Sequence, residues 1–198
     1  MGMKAMEGSK FQAALMVTDI KKSLNKAAEL DKNHAQVRRA LVELYMQLPS
    51  IIGGSKSTAE TYAKELQTIN KIDAHLAMAY IYKVVEDKEM MKNEVSKALN
   101  TAKNNKNLIT RNYLYFELGE RATSFDLEPE LAVKYFQEYI ENHNYKDLKS
   151  PAWAYYHIAK IKASQNKKEE ALKNINLAIA QKFNFPEAEK EKQRILEM

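Results

Sequence analysis

Four histidines, one glycine-rich stretch and several close carboxylate pairs are the residues that could do chemistry in this chain of 198 residues. His34, His75, His143 and His157 form neither an HExxH motif nor an i,i+4 pair, so no helix face offers zinc two nitrogens. No metal or cofactor is expected. The chain has no cysteine, which excludes disulfides, thiolate metal sites and cysteine nucleophiles. Glu128/Glu130 and Glu169/Glu170 could serve as acid and base only in a pocket that shifts their pKa values. They fall instead at expected helix starts, where a carboxylate complements the helix dipole. No catalytic residue is assigned, and the chain is not read as an enzyme.

The stretch Gly53-Gly54-Ser55-Lys56-Ser57-Thr58 leads into a helix, and amides at such a start can cradle a phosphate. A P-loop needs GxxxxGK[ST] after a parallel strand, and neither spacing nor strand is present. The simpler expectation is a widened turn with glycines at positive φ and a helix capped through Ser57-Thr58-Ala59-Glu60. Binding of a small anion at Gly53-Gly54 stands as an alternative.

The elements that must position these residues are helical. Apolar residues make up 45% of the chain and charged residues 29%, while glycine (5) and proline (4) are too few for an all-β chain with many tight turns. Helical periodicity predicts ten helices, at about 9–30, 34–48, 56–69, 73–85, 87–103, 109–124, 128–142, 151–165, 167–182 and 185–197. Pro49 and Gly53-Gly54 end the second, Asp87 opens the fifth, and Pro129 and Ser150-Pro151 open the seventh and eighth.

The net charge of +5 is carried by lysine, the arginines being only Arg38, Arg39, Arg111, Arg121 and Arg194. Acids interleave the bases, as in Lys167-Lys168-Glu169-Glu170, which describes a solvated helix face and not a phosphate-binding stripe. No nucleic-acid partner is expected. No apolar run approaches the ~20 residues that span a bilayer, so no membrane insertion is expected. Met1 to Lys10 lacks the apolar core of a signal peptide, so either the protein is cytoplasmic or an export signal has been removed.

The helices repeat in pairs. Leu41, Val42 and Tyr45 precede Ala59, Ala63 and Leu66; Met78, Ala79 and Tyr82 precede Met91, Val95 and Ala98. Tyr115, Leu118 and Gly119 precede Ala132, Phe136 and Tyr139; Tyr155, Ile158 and Ala159 precede Ala171, Ile175 and Ala178. A large residue, then an apolar one beside a small one, lets two antiparallel helices cross closely, and a small residue on the second admits the next pair. One pair cannot bury its own apolar faces, so the pairs must stack. This spacing resembles the tetratricopeptide repeat over nearly all of residues 12–183.

The resemblance implies an all-α fold, a right-handed α-α superhelix of about ten helices forming a single solenoid domain over 1–198. Its parts would be a partial repeat at 9–33, repeats at about 35–71, 72–105, 109–146 and 151–183, and a capping helix at 185–197. Leu48-Pro49-Ser50-Ile51-Ile52-Gly53-Gly54-Ser55, set inside a repeat, is similar to an insert of a bacterial tetratricopeptide subset whose members are often exported; this implies an envelope location. Lys32 and Lys71 stand where the repeat usually has proline.

In such an array the first helices line a concave groove. Projection places Arg39 and Glu43, then Leu76, Tyr80 and Lys83, then Tyr113, Phe116 and Glu120, then Trp153, Tyr156 and Lys160 on that face. Tyr115, Tyr155, Phe136 and Tyr139 are expected in the core, and Tyr80, Phe116, Trp153 and Tyr156 in the groove. Aromatic anchors edged by charge suit a protein or peptide ligand. Self-association, with the unpaired first helix or the last helix as a dimer surface, is the alternative.

Overall fold

The computed structural model describes residues 2–198, with side chains from residue 16 onward. Ten α-helices follow one another among the described residues, α1 Gly2–Leu30, α2 Ala35–Gln47, α3 Lys56–Ile69, α4 Lys71–Val84, α5 Lys88–Asn104, α6 Asn112–Ser124, α7 Pro129–Glu141, α8 Pro151–Ser164, α9 Lys168–Gln181 and α10 Pro186–Leu196. No strand occurs among the described residues. The fold class is all-α, as the periodicity predicts.

The chain comprises two compact units, Met1–Thr101 and Ala102–Met198, with the boundary inside α5. Unit 1 is built on Leu41, Val42 and Tyr45 of α2 and Ala59, Ala63 and Leu66 of α3, with Ala74, Ala77 and Ile81 of α4 against them. In unit 2, Ala152, Ala159 and Ala163 of α8 meet Ala171, Ile175 and Ala178 of α9, and Phe185, Ala188 and Ile195 close the far side. The alanines keep the helix axes close, while each fully buried Leu or Ile contributes roughly 1.5–3 kcal/mol.

The first helices end in one recurring way. Tyr82, Ala122 and Lys162 accept through their carbonyls from the amides of Asp87, Leu127 and Lys167, each at 2.9 Å. Glu86, Asp126 and Asn166 sit between them with φ of 60°, 52° and 58°. This is a Schellman closure with a non-glycine residue in the left-handed position. In the repeat that carries the insert, the Tyr45 carbonyl accepts instead from Ser55, at 3.0 Å. The seven residues Leu48 to Gly54 are therefore a longer way round the same turn.

That turn corrects two sequence expectations. The helix is capped by Ser55, whose Oγ accepts from the Thr58 amide at 3.2 Å, and not by a box starting at Ser57. Only Gly53 has positive φ, at 88°. Gly54 is required for space, since a Cβ there would collide with the Leu48 carbonyl. Farther on, Asn70 serves two helices at once: its amide closes α3 on Leu66, and its Oδ1 accepts from Ile72 and Asp73 at the start of α4.

Candidate protein-interaction surfaces

In unit 1 the predicted groove residues divide into a fixed part and an open part. Arg39 reaches Asp73 at 3.1 Å and Glu43 at 3.8 Å, and Asp73 is fully buried. A carboxylate without water needs such a partner, so Arg39 ties α2 to α4, with Glu43 of its own helix beside it. Leu76 is 2% exposed and belongs to the core, not to the groove face that projection gave it. Tyr80 is half-buried and its hydroxyl accepts from Gln47 Nε2 at 2.8 Å; Lys83 is exposed at the end of α4.

His75 is a packing residue. Its Nδ1 lies 2.8 Å from Glu94, which also takes Lys97 at 2.7 Å. Burial pushes the Glu94 carboxyl up, but the hydrogen bonds from Lys97 and His75 outweigh it and hold the pKa below the ordinary value.

Sequence reasoning gave no role to Arg38, which is 4% exposed. Its guanidinium donates to Glu65 at 2.8 Å and to the carbonyls of Asp31 and Ala28 at 3.1 and 3.4 Å. A cation thus closes the C-terminal end of α1. Beside it, α1 and α3 leave a cleft of about 780 Å³ in which Tyr45 and Tyr62 stack at 6.0 Å, and Asn25 bonds both hydroxyls.

The Gly53-Gly54 insert has its amides turned inward. Ile52 and Gly54 donate to Pro49, and Gly53 to Ser50, each at 3.0 Å. Lys21 of α1 donates to the Gly53 carbonyl at 3.0 Å and lies 4.8 Å from the Tyr45 ring centroid. The insert is a closed turn fastened to α1, which leaves these amides unavailable to an anion.

In unit 2 the largest departure is Phe116. The expected groove anchor is fully buried, its ring centroid 5.6 Å from Phe136, 5.1 Å from Tyr139 and 5.9 Å from His157. Gly119 explains the burial: a Cβ there would lie 2.9 Å from the Phe136 ring, so the missing side chain lets Phe136 close in. Tyr113 stacks on Phe116 at 5.9 Å and stays half-exposed, as does Glu120. Of the residues expected in the core, Phe136 and Tyr139 are fully buried while Tyr115 and Tyr155 are half-buried.

His157 belongs to the same cluster. Its ring stacks on Phe136 at 5.1 Å, and its buried Nδ1 has no hydrogen-bond partner within the protein. Burial first, then Lys160 and Lys149, lower its pKa to about 4.

Trp153, Tyr156 and Lys160 of α8 remain accessible. Trp153 is half-buried against Phe185 at 4.5 Å, with Lys182 and Lys149 over its ring at 4.5 and 5.0 Å. Tyr156 forms one wall of a cleft of about 550 Å³, opposite Lys190, Gln193 and Arg194 of α10. Arg194 holds Glu191 in a fork at 2.6 and 3.1 Å, leaving the rim charged on both signs. Among the described residues no three His, Cys, Asp or Glu side chains group to hold a metal, and no helix is long and apolar enough to cross a membrane.

No family model matches the chain, and no curated protein does. Solved structures do. Two structures of MamA share 16% and 15% identity with it, over 90% and 96% of this chain and 90% of each of theirs, with TM-scores of 0.44 and 0.45. TTC0263, a thermophilic tetratricopeptide protein of Thermus thermophilus, covers 98% of this chain and 97% of its own length at 15% identity, with a TM-score of 0.56. With helix pairs, small-residue crossings and recurring turn closures already in place, that likeness assigns the fold to the tetratricopeptide-like, all-α helical repeats.

Proposed function

We propose that the chain is a non-catalytic scaffold that holds a peptide or protein segment on the faces of its first helices. The observation that carries this is the α8 face of unit 2, where half-exposed Trp153 and Tyr156 stand beside a charged cleft. Tryptophan, tyrosine and arginine concentrate binding energy because they bury large area and still offer a polar atom. Tyr80 and Lys83 present a similar pairing in unit 1, and Tyr113, Glu120 and Lys160 extend it in unit 2. Within unit 1 Leu76 is buried on the same helix as Tyr80 and Arg39 ties α2 to α4; within unit 2 Phe116 is buried under Tyr113. The resemblance of the Leu48–Ser55 insert to exported bacterial proteins favours an envelope setting for the partner.

The test is affinity capture from native extract with wild type beside a Tyr80→Ser/Tyr156→Ser variant whose helicity is confirmed by circular dichroism. The expected result is a bound protein retained at least tenfold less by the variant. Equal capture by both would overturn the reading.

A second reading, self-association, is favoured by one patch in unit 1. Ile51 is 92% exposed and Ile52 44%, on an insert that Lys21 fastens to α1, where Met16 and Ile20 are 65% and 49% exposed. On this reading, sedimentation velocity gives a concentration-dependent dimer that Ile51→Ser/Ile20→Ser dissociates. A constant monomer mass for wild type would remove it.

A further inference from the structure

The most exposed apolar side chains of unit 2 lie on two loops at one end of the unit. Tyr145 is 91% exposed and Leu148 77%, on the segment 142–150; Phe183 is 100% exposed, on the segment 182–185. The loops are neighbours, because Lys149 from the first and Lys182 from the second both lie over the Trp153 ring.

These side chains are held outward. In the first loop Asp147 accepts from Asn112 Nδ2 and from the Asn144 amide, both at 2.9 Å, while the Tyr139 hydroxyl and His143 Nε2 both meet the Lys149 carbonyl. In the second, Phe185 is buried on Trp153 and Tyr156, and Asn184 at φ 54° turns the chain so that Phe183 points away. Burial of its neighbour therefore fixes the exposure of Phe183.

Charge completes the pattern. Lys146, Lys149 and Lys182 lie over aromatic rings at 5.6, 5.0 and 4.5 Å, and none is ion-paired among the described residues. The carboxylate within the first loop, Asp147, is engaged by Asn112 and Asn144.

We propose that this end of unit 2 docks on an anionic lipid bilayer, with Phe183 and Leu148 entering the acyl boundary, Tyr145 at headgroup level and the three lysines among the phosphates. A protein partner would have to supply a fitted pocket for each protruding side chain. A fluid bilayer receives them without one, and aromatic rings beside lysine suit its interface. The contact is peripheral, needs no spanning helix, and lies beside the α8 cleft without using any residue that lines it. Each lysine near an anionic surface is worth about fivefold in partitioning, so the attraction falls steeply with salt.

The probe is the full chain with phosphatidylcholine vesicles, with or without about one third phosphatidylserine, followed by co-sedimentation and by emission of Trp153, the single tryptophan. Wild type is expected to bind the anionic vesicles at least tenfold more tightly than the neutral ones, with a blue shift. Phe183→Ser/Leu148→Ser and Lys146→Glu/Lys182→Glu should each lose at least tenfold; all four sites lie outside helices, so circular dichroism should stay unchanged. Wild type remaining in the supernatant with anionic vesicles would overturn the proposal. So would binding indifferent to both variants. Loss in Phe183→Ser/Leu148→Ser of an acidic protein partner, with no vesicle binding by wild type, would assign the surface to a protein instead.

Discussion

Phe116→Ala is expected to lower the stability of unit 2 by about 3–5 kcal/mol, read from denaturant unfolding followed by Trp153 fluorescence. The magnitude follows from full burial among Phe136, Tyr139 and His157, with Tyr113 stacked over the outer edge. Removing the ring deletes its transfer free energy and leaves a cavity. The aromatic neighbours cannot fill that cavity without leaving their own contacts. An open groove position would behave differently, because surface truncations usually stay within about 0.5 kcal/mol. A loss below about 1 kcal/mol would therefore return Phe116 to the groove. Partner capture cannot make this distinction, since an unfolded unit also fails to bind.

Phe116 also marks where the sequence stops being legible. Helix number, most helix bounds and the paired small residues follow from periodicity, because apolar spacing on one helix depends on that helix alone. The exceptions are α1, which begins at Gly2 and not near residue 9, and α6, which begins at Asn112 and not near residue 109. Groove membership depends on what the neighbouring helix brings. Projection treats Leu76, Phe116 and Tyr156 alike, yet Leu76 and Phe116 are buried and Tyr156 walls an open cleft. Gly119 was the available signal: read as a crossing residue only, it also frees the space that Phe136 enters.

The role of Arg38 is hidden in the sequence for a related reason. A buried arginine has no local signature, and here it depends on the end carbonyls of α1 and on Glu65 of α3, far apart in sequence. Sequence places the helix cap at Ser57, two residues past Ser55, because both serines precede a helical run. Only the Tyr45–Ser55 bond tells which one ends the turn. Exposure of Phe183 was equally hidden, since Phe183 and Phe185 look interchangeable until Asn184 is seen in the left-handed conformation.

His157, half-buried with its Nδ1 out of reach of solvent, gives the pH dependence its sign. His157 titrates at about 4 in the folded protein against about 6.5 when unfolded. Between those values the unfolded chain holds a proton that the folded chain does not, so stability rises with pH across the window. The full value is present above pH 6.5 and is lost as pH falls toward 4. The complete shift is worth roughly 3 kcal/mol, most of it gone by pH 4.5. Protonation has nothing to recommend it in the native state: the ring lies against Phe136, Phe116 and Tyr156, and Lys160 and Lys149 repel a second positive charge. His157→Phe can keep the stack on Phe136 and removes the titration. Unfolding free energies at pH 7.5 and pH 4.5, from Trp153 fluorescence, should fall by roughly 2–3 kcal/mol more in wild type than in His157→Phe. Equal falls would mean that His157 accepts its proton without leaving the cluster, and the loss would then lie with other groups. Acid weakening of unit 2 would therefore begin near pH 6.5, where protonation of the unfolded histidine first competes with its aromatic packing.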